Sequence, residues 1–548
     1  MIGWPAREDQ FVLAVDLGTG GPKVGFVSLV GRIAWREHVE VATTFPGGGA
    51  ALQDAEEWWR VVCEATCRGL SSGAVSPEQV VAVSCTGQWS STVPVDASGR
   101  PVGKCVMWMD SRGARHVRAA VGGPVAGYSP LAAARWIRRS GGAPNLQGAD
   151  PIGHILHLER DDPGVAAATR WYLEPVDYLT MRFTGEASAS PASMLGSWLT
   201  DNRHPHSMSY DPTLLKMSGV PAGKLPPLRP TGSVVAEVAP GIASELGLGP
   251  HVKVVTGVPD LHSAAVGSGC VLDYETHLAI STTSWISCAV PFKKTDAFHQ
   301  IASVPGVFPG SYVVVDNQDT SGICLKWLRD SLLDGTAPGG HEESAATYES
   351  DEPGRSGPIS FDALTDLAAT APPGSGGVVF TPWLMGQRTP VDDQLARGGI
   401  HNLSLRTGRR HVVRSVLEGV ALNNRWLLDY VERFVKRRLD PIRIVGGGAQ
   451  SPLWCQIHAD VMDRTFERVE EPKHASLRGA GLLGGLALSA VTPDEVHGLV
   501  PVDEIFLPEA ANRPTYDAIY HEFTRLHGSQ KAMFRRLNGR ARTGRDGR

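Results

Sequence analysis

The chain has 548 residues, 42% of them hydrophobic and 20% charged, the composition of a globular protein with ample core and room for several units of roughly 100–200 residues. A formal net charge of −5 gives no reason to expect nucleic acid or an anionic membrane as partner. No apolar run approaches the roughly 20 residues of a membrane span, MIGWPAREDQ is no signal peptide, and the eight scattered cysteines complete no zinc set, so a cytoplasmic protein with reduced thiols is expected.

The first element is a hairpin. An apolar run, Phe11 to Val15, delivers Asp16 into a turn of Gly18, Thr19, Gly20 and Gly21, and Lys23 precedes a second run, Val24 to Leu29. Such a turn offers backbone N–H groups without intervening Cβ atoms, and an acid at the strand end suits Mg²⁺, which takes few protein carboxylates. On this stretch alone an ordinary hairpin with a solvent-facing Asp is an equal reading. Asp54 to Leu70 has acids in its first turn and an apolar helical face at Trp58, Val61, Val62, Ala65 and Leu70. Val80 to Ser84 and Thr92 to Val95 read as strands. Pro130 to Ser140, Gly164 to Thr184 and Asp211 to Gly219 read as mostly helical or mixed, and Pro221 to Gly241 as a loop. Val252 to Thr256 reads as a strand ending at Gly257-Val258-Pro259-Asp260, followed by a small-residue helix from Ser263 to Gly269.

The second half repeats the opening grammar. Thr276 to Val290 is an apolar run, a turn from Ser281 to Ser284 that includes Thr282 and Thr283, and another apolar run. Two hairpins near the starts of two halves fit a two-domain ATPase that grips phosphates from both sides. Tyr312 to Val315 and Gly377 to Leu384 read as strands, Ile323 to Leu333 and His411 to Val435 as helices, and Asp334 to Gly357 as a polar insertion broken by Gly and Pro. Ile442 to Val445 runs into Gly446, Gly447 and Gly448, then a helix from about Pro452 to Asp463. Leu477 to Ser489 is a small-residue helix, and Tyr516, Ile519, Tyr520, Phe523 and Leu526 stripe a last one. From Lys531 to Arg548 the chain carries seven Lys/Arg and one acid, a composition expected to be disordered. Strands alternating with helices argue an α/β layered fold. The expected division is 1–272, 273–492, and 493–548 for the last helix and basic tail.

Asp260 is the sharpest chemical candidate. It ends a buried-type strand, where open α/β sheets place ligands, and beside a bound alcohol it would accept the hydroxyl proton during attack on a γ-phosphate. Taken by itself, it reads as a cap of the helix that follows. Three glycines between strand and helix suit a phosphate or nucleotide contact, and the chain lacks the P-loop pattern. Gln88, Trp89, Trp108, Asp110 and Arg112 mix the aromatic faces and polar groups that bind sugars. Equally, Trp108 reads as core and Asp110–Arg112 as a surface pair.

In order along the chain, AVDLGTGGPK, the run TGQWSSTVPVDASGRPVGKCVMWMDSRG, TGVPDLHSAAVGSG, SGICLKWLRD, TPWLMGQRTP, VVRSVLEGVALNNR and IVGGGAQSPLWCQIHADVM resemble the FGGY family of carbohydrate kinases. The match spans about Val12 to Ala487 and looks nearest the xylulose kinases. It implies two ribonuclease-H-like domains of the actin and hexokinase ATPase type with a cleft between them, and ATP-dependent phosphorylation of a ketose or polyol, a pentulose such as xylulose first. Carried over residue by residue, it makes Asp260 the catalytic base and gives Asp16 the Mg²⁺, directly or through water. Gly18, Thr19 and Lys23 would face the transferring phosphate, and Ser281, Thr282 and Thr283 the nucleotide phosphates. Gly322, Gly446, Gly447, Gly448, Gln450 and Ser451 would line the adenine nucleotide site. Gln88, Trp89, Trp108, Asp110 and Asp260 would border the sugar. A small-molecule acceptor and a homodimer are the partners it implies.

The chain departs from the xylulose kinase pattern at Gln88-Trp89-Ser90, where Gln-Met-His is common. It departs again at Leu261, where Asn usually follows the base, and at Ser281-Thr282-Thr283, where a Gly-Thr turn is usual. Gln387 stands in a usual Glu position. Trp89 fills far more space than Met, so other acceptors (gluconate, ribulose, a glycerol-like polyol) stay open. So do a catalytically silent sugar- or nucleotide-binding regulator and a chaperone-like or filament-forming ATPase on the same scaffold.

Overall fold

The computed structural model describes residues 6–539 except 126, 205, 207–208 and 334–358, so the polar insertion expected at Asp334 to Gly357 lies outside the described residues. Two mixed sheets organise the chain. The first contains β1 (Phe11–Gly18), β2 (Gly21–Ser28), β3 (Ile33–His38), β4 (Val80–Gly87), β5 (Val234–Glu237) and β6 (Lys253–Pro259), in the spatial order β5-β6-β4-β1-β2-β3. The second is built around β7 (Thr276–Ile280), β8 (Ser284–Val290), β9 (Tyr312–Val315), β10 (Ile442–Val445), β11 (Phe466–Val469) and β12 (Val502–Phe506). Its order is β9-β8-β7-β10-β11-β12, extended beyond β9 by Ile301–Pro305 and Thr295–Asp296.

The two sheets share one plan. Each has three antiparallel neighbours on one side, β1-β2-β3 in chain order and β7-β8-β9 with Thr295–Asp296 and Ile301–Pro305 formed between β8 and β9. Each then adds two parallel strands on the other flank of its first strand, β4 and β6 in one, β10 and β11 in the other. Each ends with an antiparallel edge strand. Parallel strands need crossovers, and here as usual helices supply them.

Those helices bury one apolar face each. In α1 (Ala55–Ser71), Asp54 caps the N-terminus by accepting the Glu56 N–H at 3.0 Å, and Trp58, Trp59, Val61, Val62 and Ala65 pack on the first sheet. The short α2 (Asp260–Gly267) starts directly from the end of β6. Over the second sheet, α3 (Arg409–Val435) and α4 (Pro452–Met462) form the largest core, with Phe380, Trp383 and the last helix α6 (Arg513–Asn538) against them. Between α4 and α6 lies α5 (Ala475–Ala487), which follows strands of the second sheet yet packs on the first. Leu477 and Ala480 meet Ala14 and Val27. A Cβ at Gly479 would run into the Ser263 carbonyl of α2, and one at Gly484 into Val12.

Some expected elements differ. The supposed loop from Pro221 to Gly241 contains β5, an edge strand with two exposed positions and no continuous apolar signal. Gly377 to Leu384 is a strand only over Val379–Thr381. The supposed basic tail is helical up to Asn538, because Phe534 is buried and carries α6 on past Lys531; 540–548 lie outside the described residues. All eight cysteines are free, and no helix among the described residues is long and apolar enough to cross a membrane.

Candidate active site

The register of the first sheet brings three segments to one edge. Leu17 of β1 lies beside Gly87 of β4, and Gly87 beside Pro259 of β6, so the groups next to these positions (Asp16, Gln88 and Asp260) meet at the carboxyl ends of adjacent strands. Within the hairpin, Lys23 is the cross-strand partner of Asp16, and its Nζ donates to Asp16 Oδ2 at 2.8 Å. Asp16 is 4% exposed, so this pair keeps a buried carboxylate compensated. The negative charge of Asp16 raises the Lys23 ammonium pKa against the opposing effect of burial, and Asp260 adds to the rise.

Asp260 is half-buried, at the first position of α2, and its Oδ1 accepts the Leu261 N–H at 2.8 Å. Burial, and then the charge of Asp16, push its carboxyl up to about 7, while the Leu261 N–H and Lys23 pull the other way. An acid so placed is half-ionised near neutral pH, which suits a general base. Its partial capping contact and its elevated pKa coexist, since only one oxygen is held.

The turn is braced from the side. Trp108 Nε1 donates to Thr19 Oγ1 at 3.1 Å, which leaves the hydroxyl proton of Thr19 free to donate elsewhere. Gln53 Nε2 donates to the Thr19 carbonyl at 2.7 Å, and Gln88 Nε2 donates to Gln53 Oε1 at 3.3 Å. Asp110 was expected to border the sugar, but it is 0% exposed and offers no surface of its own. It accepts the Ala51 N–H at 3.0 Å and pairs with Arg112 at 2.8 Å, holding two loops together, so the Asp110–Arg112 pair is structural rather than superficial.

In the second half the Ser281–Thr283 turn is largely exposed, and Gly322 and Gly446 to Gly448 gather around it. The Gly322 N–H donates to the Ser281 carbonyl at 2.8 Å. Gly446, at φ +94°, passes so close to Ile280 that a Cβ would strike the Ile280 carbonyl. Gly447 and Gln450 are exposed, while Ser451 caps α4 through the Trp454 N–H at 3.3 Å. Behind the turn, Ser284 Oγ donates to Asn424 Oδ1 at 2.8 Å, and Asn424 Nδ2 meets His458 Nε2 of α4 at 3.0 Å. This buried chain ties the hydroxyl turn to the helix that follows the glycines.

The halves touch at a seam. Trp89 and Leu261 from the first pack with Trp285 and Val315 from the second, and the indole N–H groups of Trp89 and Trp285 are buried without partners among the described residues. Sequence reasoning passed over Trp285 and Gln53. The signal for Trp285 is its phase: Ser284, Ile286 and Cys288 face the second core, so the large residue between them faces the other side. Gln53 has no local signal, because the partners that tie it to the site, Thr19 and Gln88, lie 34 and 35 residues away. Among the described residues no cluster of three or more His, Cys, Asp or Glu forms a ready metal cage. Mg²⁺ needs none, since one or two carboxylates with phosphate oxygens and waters suffice, and Asp16 meets that demand.

Two family models match in tandem, both described as the FGGY family of carbohydrate kinases: the N-terminal domain over residues 11–267 and the C-terminal domain over 281–488. A xylulose kinase of Staphylococcus epidermidis is 24% identical over 96% of this chain and 98% of its own length. A gluconokinase of Bacillus subtilis is also 24% identical, over 87% of each chain. Among solved structures, a ligand-bound xylulose kinase from Lactobacillus acidophilus superposes with a TM-score of 0.80 at 18% identity, covering 96% of this chain and 100% of that one.

Proposed function

The chain belongs to the FGGY family of carbohydrate kinases, and we propose that it transfers the γ-phosphate of ATP to a hydroxyl of a ketose or polyol, with a pentulose such as xylulose as first acceptor. The observation that carries this reading is Asp260, a carboxyl raised to about 7 at a strand end beside the Asp16–Lys23 pair. Asp260 takes the proton of the acceptor hydroxyl as that oxygen bonds to the γ-phosphorus, and the bond from that phosphorus to the β–γ bridging oxygen breaks to release ADP. Lys23 and the Thr19 hydroxyl stabilise charge on the transferring group. Mg²⁺, when bound, would neutralise β- and γ-phosphate oxygens; Lys23 holds Asp16 Oδ2, which leaves Oδ1 for the ion.

On this reading residues 1–272 carry the acceptor and the base, and 273–492 hold the nucleotide. Ser281, Thr282, Thr283 and the N–H groups of Gly447 and Gly448 meet its phosphates, while Gly322 and Gly446, their own N–H groups held by Ser281 and Pro472, shape the site around it. Trp89 and Trp285 form walls of the acceptor pocket from opposite halves, and their free indole N–H groups suit hydroxyl oxygens. Saturating MgATP with a panel of ketoses, alditols and aldonates, read by ADP release, tests the reading. Turnover with at least one neutral acceptor is expected; silence across the panel would leave a binding protein without kinase activity.

A further inference from the structure

Gln53 is 2% exposed and uses its whole amide. Nε2 donates to the Thr19 carbonyl at 2.7 Å and to Thr43 Oγ1 at 2.8 Å; Oε1 accepts Trp58 Nε1 at 3.1 Å and Gln88 Nε2 at 3.3 Å. The orientation of this amide is fixed by its neighbours. An indole N–H only donates and a carbonyl only accepts, so Oε1 of Gln53 must face Trp58 and Nε2 must face Thr19. The atom of Gln88 turned toward Gln53 Oε1 must then be a donor, its Nε2. The other end of the Gln88 amide, Oε1, is left buried and without a partner among the described residues. A buried amide oxygen without a partner is a site for a donor.

We propose that Gln53 is a positioning residue that turns the Gln88 amide to present its oxygen to the acceptor, and that the acceptor is accordingly a neutral hydroxyl-bearing sugar or polyol rather than a sugar acid. This rests on the kinase reading. A hydroxyl donates to Gln88 Oε1, whereas a carboxylate would face an amide oxygen with Asp260 at the neighbouring strand end. Arg112 is the cation on the adjoining loop, and Asp110 already holds it at 2.8 Å. The same amide of Gln53 braces the phosphate turn through Thr19, so acceptor recognition and phosphate grip share one side chain.

The test has two arms. With the wild-type chain, neutral pentuloses and alditols should exceed aldonates of equal carbon number in kcat/KM by about 100-fold or more, the scale of a site whose buried polar group meets the wrong partner. Gln53→Met should raise the KM for both acceptor and MgATP about tenfold. Gln53→Glu keeps an oxygen facing Trp58 and Gln88 but sets its other oxygen against the Thr19 carbonyl, so it should raise the MgATP KM while leaving the acceptor KM within about threefold of wild type. A merely structural role predicts the same acceptor KM change in both variants, and that result overturns the proposal. If neither variant folds, the wild-type panel decides alone. An aldonate preferred over its neutral counterpart overturns the proposal and leaves the kinase reading standing. No ADP release with any acceptor, from a chain that binds ATP, overturns both.

Discussion

The hairpins β1–β2 and β7–β8 occupy the same place in two sheets that share a pairing plan, yet their turns are chemically unlike. The first holds an ion pair, Asp16 with Lys23 at 2.8 Å, within electrostatic reach of a third ionisable group, Asp260. The second presents the hydroxyls of Ser281, Thr282 and Thr283, with an uncharged chain of Ser284, Asn424 and His458 behind it. One backbone plan thus serves two jobs. On the proposed reading, charge stands where protons and phosphoryl groups would move, and neutral donors stand where a polyanion would only be held. The sheet supplies the turn, and the side chains on it divide the labour.

The sharpest way to break this division is to neutralise the base. Asp260→Asn should lower kcat about 10²–10⁴-fold and leave nucleotide affinity, measured by calorimetry, near wild type. Loss of both together would mean the halves do not divide the work. The mirror experiment is Gly446→Ala, which forces a Cβ into the Ile280 carbonyl at φ +94°. A local cost of about 1–3 kcal/mol should weaken ATP binding roughly 5- to 150-fold with kcat for saturated enzyme largely kept. A smaller effect is the pH profile. Because the ionised form of Asp260 is the base, kcat/KM for the acceptor should fall as pH drops through about 7 and level off above it. A flat profile between pH 6 and 8 would detach the reaction from this carboxyl.

The smallest effect concerns stability. Raising Asp260 from its ordinary 3.8 to about 7 means that the folded chain holds a proton the unfolded chain releases across that window. Its contribution to stability is present at low pH and is lost as pH rises toward 7. Asp260→Asn avoids that loss, so its thermal midpoint should exceed wild type at pH 8, and the gap should close near pH 4.

Both central hairpins were legible because each joins two apolar runs through residues that can only be a turn, and Asp260 was legible because a β-branched strand ends on it. The strands that escaped lie at or one place in from an edge. The edges Ile33–His38 and Val502–Phe506 carry Arg, Glu and Asp at partly or fully exposed positions, which dilute the apolar signal while keeping an edge soluble, and Phe466–Val469 beside the second edge carries Glu467 and Arg468 at partly exposed positions. The end of α6 was misread for a related reason: Arg535 and Arg536 dominate its composition, while a single buried Phe534 anchors it. The candidate site shows the same limit. Lys23 was visible beside its hairpin turn, but Asp110 looked like a sugar contact because no sequence shows that Ala51 and Arg112 enclose it.

The placement of α5 on the first sheet has a consequence for synthesis. Val12, Ala14 and Val27 leave the ribosome early, but Leu477, Ala480 and Gly484, which cover them, arrive some 450 residues later. The half made first is therefore finished last, and during translation it carries a bare greasy face that invites chaperones or aggregation. Severing the chain between the sheets would leave that face uncovered, so the first half made alone is expected to be the aggregation-prone piece.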